Sequence, residues 1–408
     1  MYPLTGVPKS HDWGSVDAIP GFLGQPATSA PVAELWFGAH PSGSSGVALP
    51  ESDATLPGSG SADLRALIEA DPRPTLGPST IIEFGDELPY LVKLIAPAHP
   101  LSLQVHPGRN AAARGFAEED SAGVPRGAFE RVFQDPTHRP EMIYAISQFD
   151  GLVGFAPRRE ARERLDGLRG KLAARLDRRL LLATGRGVKP VVSWLLDPED
   201  GPRPGEVAAL ADECKARLEN GWSPDPLVEE AFVALADRFG PEPATLIAVL
   251  MNHLRLEPGH AAFVPTRTVH AYLRGLGLEV MANSDNVVRA GLTSKHVDVD
   301  RFMEMANFDG APPTRIAPEH PRPGINRFRS PVEDFELVTA TPSTPGAPCP
   351  LPLPGSGPRV AVALSGPVQL TSARGSLQLE QGEAAFLPDA DGTTVAEGPG
   401  TVAVCLVP

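Results

Sequence analysis

LSLQVHP, residues 101–107, alternates apolar and polar side chains, so an extended strand would carry Leu101, Leu103 and Val105 on one face and Ser102, Gln104 and His106 on the other. Gln104 and His106 then point the same way. Their Cα atoms would lie about 6 to 7 Å apart, near enough for both side chains to reach one ion through bonds of about 2 Å. Taken alone, the pattern describes any strand with one wet face. What surrounds it decides how much more it says.

Up to residue 155 the chain consists of short apolar runs broken by Gly, Pro and Ser, as in AELWFGAHP (33–41) and LPYLVKLIAPAHP (88–100), the texture of antiparallel strands and loops. Residues 41–62 have no periodicity and read as a surface loop. The texture changes at Pro157. Leu165, Leu168, Leu172, Leu176 and Leu180 recur every three or four residues, which predicts an amphipathic helix. Two more helices follow, one with Val207, Leu210, Cys214 and Leu218 on a single face, the other with Val228, Phe232, Leu235 and Phe239 behind an Asp225–Pro226 start. Strands resume near Leu254, and one short helix is expected around Val299, Phe302, Met303 and Met305. A Pro-rich stretch from Thr341 reads as a connector, and the remaining runs as a small β unit. The fold class is therefore mainly β with a helical insertion. The expected division is 1–155 plus 254–325, then 156–253, then 326–408.

Composition narrows the function. The 408 residues carry a formal net charge of −14, which argues against nucleic acid, whose phosphates need clustered Lys and Arg. The same charge obliges any anionic substrate to be met by a local cationic cluster. Three scattered cysteines offer neither a disulfide framework nor a CxxC knuckle and fit a reducing, cytoplasmic setting. No apolar run is long enough for a membrane span, so no membrane partner is expected.

Two further pieces join Gln104 and His106. In HRPEMIYAI (138–146), Glu141 opens an apolar run; in PGHAAFVPTRTVHAYL (258–273), His270 closes a Gly259–x5–Pro265–x4–His spacing. Each is unremarkable alone, as an edge carboxylate or a hydrogen-bonded core histidine. Together they make a candidate metal set.

At this point the residues resemble the cupin superfamily and, more narrowly, type I mannose-6-phosphate isomerases, also called phosphomannose isomerases. The likeness is carried by DWGS (12–15), AELWFGAHP, LPYLVKLIAPAHPLSLQVHP, HRPEMIYAI and EVMANSDNVVRAGLTSKHVDV (279–299). The resemblance implies a cupin-type β-barrel (jelly-roll) catalytic domain, an inserted all-α domain and a second, smaller C-terminal β-barrel. It implies one zinc ion per chain on Gln104, His106, Glu141 and His270. It implies Arg289 and Lys295 facing the substrate, with Glu279 near the metal side of the pocket. Ser102 and Lys93 match phosphate or sugar contacts, and Trp13, Glu34 and Asp285 match other motif positions. The implied reaction interconverts mannose 6-phosphate and fructose 6-phosphate through an enediol(ate), feeding mannose and GDP-mannose metabolism in a monomeric cytoplasmic enzyme.

That chemistry suits the residues. A divalent cation with one carboxylate and neutral His and Gln ligands stays electrophilic enough to stabilise negative charge growing on a carbonyl oxygen. Lys93, Arg139, Arg289 and Lys295 supply the local cations that the acidic chain requires. Three departures from the family stand out. Arg139 replaces the usual Lys of an HKPE motif and cannot serve as a base, since guanidinium does not deprotonate; its role is electrostatic, in substrate binding. Arg267 stands where the general cupin pattern prefers Gly, and Ser294 where the family usually has Pro. The proton-transfer base is left among His138, Glu279, Lys295 and a zinc-bound hydroxide. Two other readings compete: a non-catalytic sugar-binding cupin, and an iron-dependent oxygenase using His106, Glu141 and His270 as a facial triad.

Overall fold

In the computed structural model, which describes residues 1–48, 62–185, 187–293 and 295–408, the chain folds into stacked antiparallel sheets with a helical unit on one side. Most of the loop expected at 41–62, and Ser294, lie outside the described residues. Among the described residues, no helix is long and apolar enough to cross a membrane.

The central layer is a seven-stranded sheet ordered Thr314–Ile316, Ala261–Val264, Glu141–Ala145, Gly277–Ala282, Tyr90–Ile95, Glu34–Phe37, Val7–Lys9. Its inner strands are buried almost along their whole length, as YLVKLI shows, because both faces are covered, while the edge strands Thr314–Ile316 and Val7–Lys9 are partly exposed. Tyr90, Val92 and Leu94 join one apolar cluster with Phe328, Leu337, Val360 and Phe386 of a nine-stranded sheet. Ile95 and Ile143 point the other way and meet Val153, Leu254 and Tyr272 of a five-stranded sheet. That second sheet is ordered Met251–Leu256, Phe149–Phe155, His270–Arg274, Leu103–Val105, Val288–Gly291. Its outer face carries Leu103, Val105, Ala271 and Leu273 against the helices. The period of two therefore sends Gln104, His270 and Tyr272 into the space between the two sheets.

The helical unit comprises Arg158–Glu163, Lys171–Leu182, Lys189–Leu195, Pro204–Glu219, Pro226–Phe239 and a 3-10 segment, Pro243–Leu250. The leucine run from Leu165 to Leu180 is not one helix. Gly167 adopts φ 84° and Gly170 caps the next helix, so Leu165 and Leu168 pack from a connecting turn. A helix at Arg109–Ser121 also lies within the region read as strands and loops. Its sequence hides it, because its contacts use small residues: a Cβ on Gly115 would stand 2.2 Å from the Phe133 ring.

The beginning of the chain departs from the expected division. Tyr2–Thr5 pairs with Ala384–Leu387, register Leu4 to Ala384, and so extends the nine-stranded sheet built mainly from C-terminal strands. Alternation defines a strand without saying which sheet edge receives it. A four-stranded sheet, Leu351–Pro352, Val395–Glu397, Val368–Ser372 and Gly375–Leu379, covers the outer face.

Tyr90 links these layers with a fully buried hydroxyl 3.0 Å from the carbonyls of both Pro358 and Cys405. Tyr90→Phe would leave these carbonyls without that donor. The expected loss, measured by denaturant unfolding, is about 1–3 kcal/mol, with the far-ultraviolet spectrum unchanged.

Candidate active site

Strand register assembles the site. Gln104 pairs with His270 on one side and Arg289 on the other, so these three side chains form a row across the five-stranded sheet. On the facing sheet, Trp36, Lys93 and Glu279 form a second row, and Glu141 begins the strand next to Glu279.

His106, Glu141 and His270 converge at the foot of these rows, all buried, with their donor atoms within 4.8 Å of one another. His106 Nε2 lies 3.1 Å from Glu141 Oε1, and His270 Nε2 lies 3.4 Å from Glu141 Oε2. Gln104 Nε2 stands 3.2 Å from His270 Nε2. The outer nitrogen of each ring faces a backbone carbonyl: His106 Nδ1 donates to Asn286 O at 2.7 Å, and His270 Nδ1 donates to Thr268 O at 3.0 Å. Those bonds fix the tautomer and leave an unprotonated Nε2 on each ring turned inward. His106 Nε2 is buried and has no hydrogen-bond partner, with Glu141 Oε1 3.1 Å away. Lone pairs thus face lone pairs, an arrangement that a cation resolves. The spacing fits one: with bonds of about 2.0–2.1 Å, ligand atoms of a tetrahedral zinc lie about 3.3 Å apart. Turning the Gln104 amide over would present its oxygen to the same point.

The electrostatics agree. Burial and the adjacent Arg139 guanidinium push the His106 ring down to about 4, so it is neutral at physiological pH. Burial alone would raise Glu141, but His106 and Arg139 more than offset it and hold the carboxyl well below its usual range. Arg139 Nε donates to Glu141 Oε1 at 2.9 Å, and the Tyr272 hydroxyl approaches Oε2 at 3.5 Å.

Above the cluster opens a cleft of about 550 Å³. Gln104, Arg139 and Tyr272 line it, together with Trp13, Glu34, Lys93, Ser102, Glu279, Asp285, Arg289 and Lys295. Lys93 pairs with Glu279 at 2.9 Å, and Trp36 Nε1 donates to Glu34 at 2.7 Å. Asp285 accepts from Ser42 Oγ at 2.6 Å. Desolvation, strengthened by the nearby Glu141 anion, outweighs Lys93 and raises the Glu279 carboxyl. Arg289 and Lys295 differ from the other cations. Among the described residues neither has a carboxylate within ion-pair distance; burial and Arg139 bring Arg289 down to about 10, and burial and Arg289 lower Lys295.

His138 is the one expected site residue that the fold keeps away. Its Nε2 lies 3.0 Å from both Asp334 Oδ1 and Arg109 Nη2, and it does not line the cleft. Several cleft residues escaped sequence reasoning. Tyr272 and Trp36 sit two positions from His270 and Glu34 on their strands, a spacing that places each pair on one face. His11, stacked on Trp13 with ring centroids 5.4 Å apart, follows no such rule. Arg267 adopts φ 69°, the left-handed region that glycine favours. The cost, about 1–2 kcal/mol, is offset by hydrogen bonds to His106 O, Met305 O and Asn307 N.

Asn286 is the least expected contributor. Fully buried, it accepts His106 through its backbone carbonyl, accepts Gln134 N at 2.7 Å through Oδ1, and donates from Nδ2 to Asp135 O and Thr137 O at 2.8 Å. It ties the segment leading into Arg139 and Glu141 to the ring of His106.

Fold and site define a β-sheet protein with a buried metal-ligand set beneath a cationic cleft. Residues 1–158 match the model of the phosphomannose isomerase type I catalytic domain. Over 414 aligned residues the chain is 32% identical to the mannose-6-phosphate isomerase of Escherichia coli (strain K12), covering 99% of this chain and 98% of that one. It is 30% identical to mannose-6-phosphate isomerase 1 of Arabidopsis thaliana, covering 86% and 83%. A zinc-bound crystal structure of mannose 6-phosphate isomerase superposes with a TM-score of 0.85 at 28% identity, over 100% of this chain and 99% of the other. The chain belongs to the mannose-6-phosphate isomerase family of enzymes.

Asn286→Asp keeps the shape but removes the Nδ2 donors and sets a charge beside Asp135. Divalent-metal affinity, measured by chelator competition, should fall about 10–100-fold; an unchanged affinity would show that this anchor does not position His106.

Proposed function

We propose that the chain is a zinc-dependent aldose–ketose isomerase that interconverts mannose 6-phosphate and fructose 6-phosphate through an enediol(ate). The carrying observation is the pairing of a convergent His106–Glu141–His270 cluster with two cations, Arg289 and Lys295, that have no carboxylate partner in the same cleft. Family membership supplies the substrate class; the geometry supplies the division of labour.

His106, Glu141, His270 and the Gln104 amide hold the zinc. Bound there, the ion supplies Lewis-acid stabilisation of negative charge on the sugar carbonyl oxygen. Arg289 and Lys295 bind the phosphate, which takes the place of their missing anion. Ser102, Glu34, Trp13 and Asp285 shape the cleft around the sugar. The reaction removes a proton from C2 of the aldose and returns one to C1, while a proton moves from O2 to O1. Glu279 is the base that suits this exchange: it is a carboxylate in the cleft, its affinity for protons is raised by burial, and Lys93 steadies its charge at 2.9 Å. Arg139 contributes fixed positive charge. The oxygenase reading explains the triad but gives no use to Arg289 and Lys295. A sugar-binding module would not require a metal site beneath the sugar.

Purified protein should convert mannose 6-phosphate to fructose 6-phosphate in a coupled assay, lose activity with chelator and regain it with zinc. Sugar-phosphate binding without turnover after zinc loading would favour the binding-module reading.

Glu279→Gln should lower kcat about 10²–10⁴-fold while KM and zinc content change little. A full-rate Gln variant would remove Glu279 as the base and turn attention to Lys295.

A further inference from the structure

The first part of the helical unit reverses the charge of the molecule. Residues 157–190 hold eleven Lys and Arg against four Asp and Glu, within a chain of net charge −14. On the helix Lys171–Leu182, Arg175, Arg178 and Arg179 line one surface pocket of about 490 Å³, with Leu182, Pro190 and Val191 forming an apolar wall. Three guanidiniums spaced three and four residues apart repel one another, so their grouping calls for compensating negative charge.

Protein carboxylates supply little of it. Arg175 Nη1 meets Glu206 at 2.6 Å, but Arg178 and Arg179 have no carboxylate within ion-pair distance among the described residues. Asp177, the one acid on this helix, is taken by Arg162 at 2.7 Å. Asp197 accepts from the backbone of Glu199 and Asp200 at 2.8 and 2.9 Å. Two of the guanidiniums are also held in place: Arg179 stacks 4.3 Å and Arg175 5.2 Å from the Trp194 ring, and Trp194 is anchored by its Nε1 donating to Asp200 O at 2.8 Å. The carbonyl end of the helix would oppose an anion, but Arg158 caps the Ala183 and Gly185 carbonyls.

We infer that this pocket is a second anion site, separate from the cleft, for a small molecule bearing two or more phosphates and an apolar or planar group, of the nucleoside diphosphate class. The arginines offer forked donors to the phosphates, and Leu182, Pro190 and Val191 offer a wall for the base.

Isothermal titration with ADP, and with pyrophosphate as the probe lacking a base, tests the site. ADP should bind wild-type protein more tightly than pyrophosphate does. Arg178→Glu should weaken ADP at least about tenfold while isomerase activity and melting temperature stay unchanged, because Arg178 is exposed and its side chain has no hydrogen-bond or ion-pair partner among the described residues. Arg289→Ala should leave ADP binding intact. ADP binding that survives Arg178→Glu but is lost in Arg289→Ala would place the anion in the cleft and overturn the inference. So would the absence of ADP binding at millimolar concentration, or adsorption to phosphatidylserine vesicles without it, since the exposed Leu181 and Leu182 would then mark a lipid-facing surface.

Discussion

Glu141 is an ionised carboxylate with no exposed surface, and the site is arranged around that fact. Taking such a charge out of water costs several kcal/mol after relaxation, about as much as a whole domain's margin of stability allows. The cost is tolerable only with opposite charge and hydrogen bonds at contact distance. Arg139 provides one contact, at 2.9 Å. Two histidines occupy the remaining sides, but burial keeps His106 neutral, so the rings bring lone pairs where a charge is needed. The same desolvation that threatens the fold thereby creates a demand for a metal ion.

The demand propagates outward through strand register. Because the seven-stranded sheet is covered on both faces, each strand entering it has one set of side chains committed to the core behind. Lys93 can be buried beside Glu279 only because Val92 and Leu94 pack on the opposite face. Likewise Leu103 and Val105 anchor against the helical unit while Gln104 faces inward. The helices thus fix the outer face of the strands that carry the ligands, and Arg238 and Phe239, at the end of Pro226–Phe239, reach the cleft itself.

Period-two alternation made much of this legible. It put Gln104 and His106 on one face before any partner strand was known, and the same rule, applied two residues beyond His270 and Glu34, reaches Tyr272 and Trp36. What it could not show was pairing between distant strands: that Gln104 sits between His270 and Arg289, or that Tyr2–Thr5 crosses to a sheet made of C-terminal strands. Those contacts span long stretches of chain and depend on which edges are free. The leucine run failed as a single helix for a local reason, the left-handed glycine at 167, which periodicity counts as just another position. Asn286 was invisible as an anchor because its effect runs through a backbone carbonyl and a loop, neither of which has a residue signature.

Arg139 shows how a departure from a family pattern can be read physically. A lysine at this position would present a compact, strongly hydrated ammonium able to lose its proton in a buried site. Arginine gives up that option and gains directionality: its Nε–H donates to Glu141 Oε1 at 2.9 Å, which leaves the rest of the guanidinium to face the cleft. Its charge depresses His106 and Arg289 alike, keeping the first a neutral ligand and making the second costlier to leave without an anion. A substitution that excludes this position from proton transfer therefore strengthens both of the features that draw ligands to the site, the lone pairs at its floor and the unpaired cations at its wall.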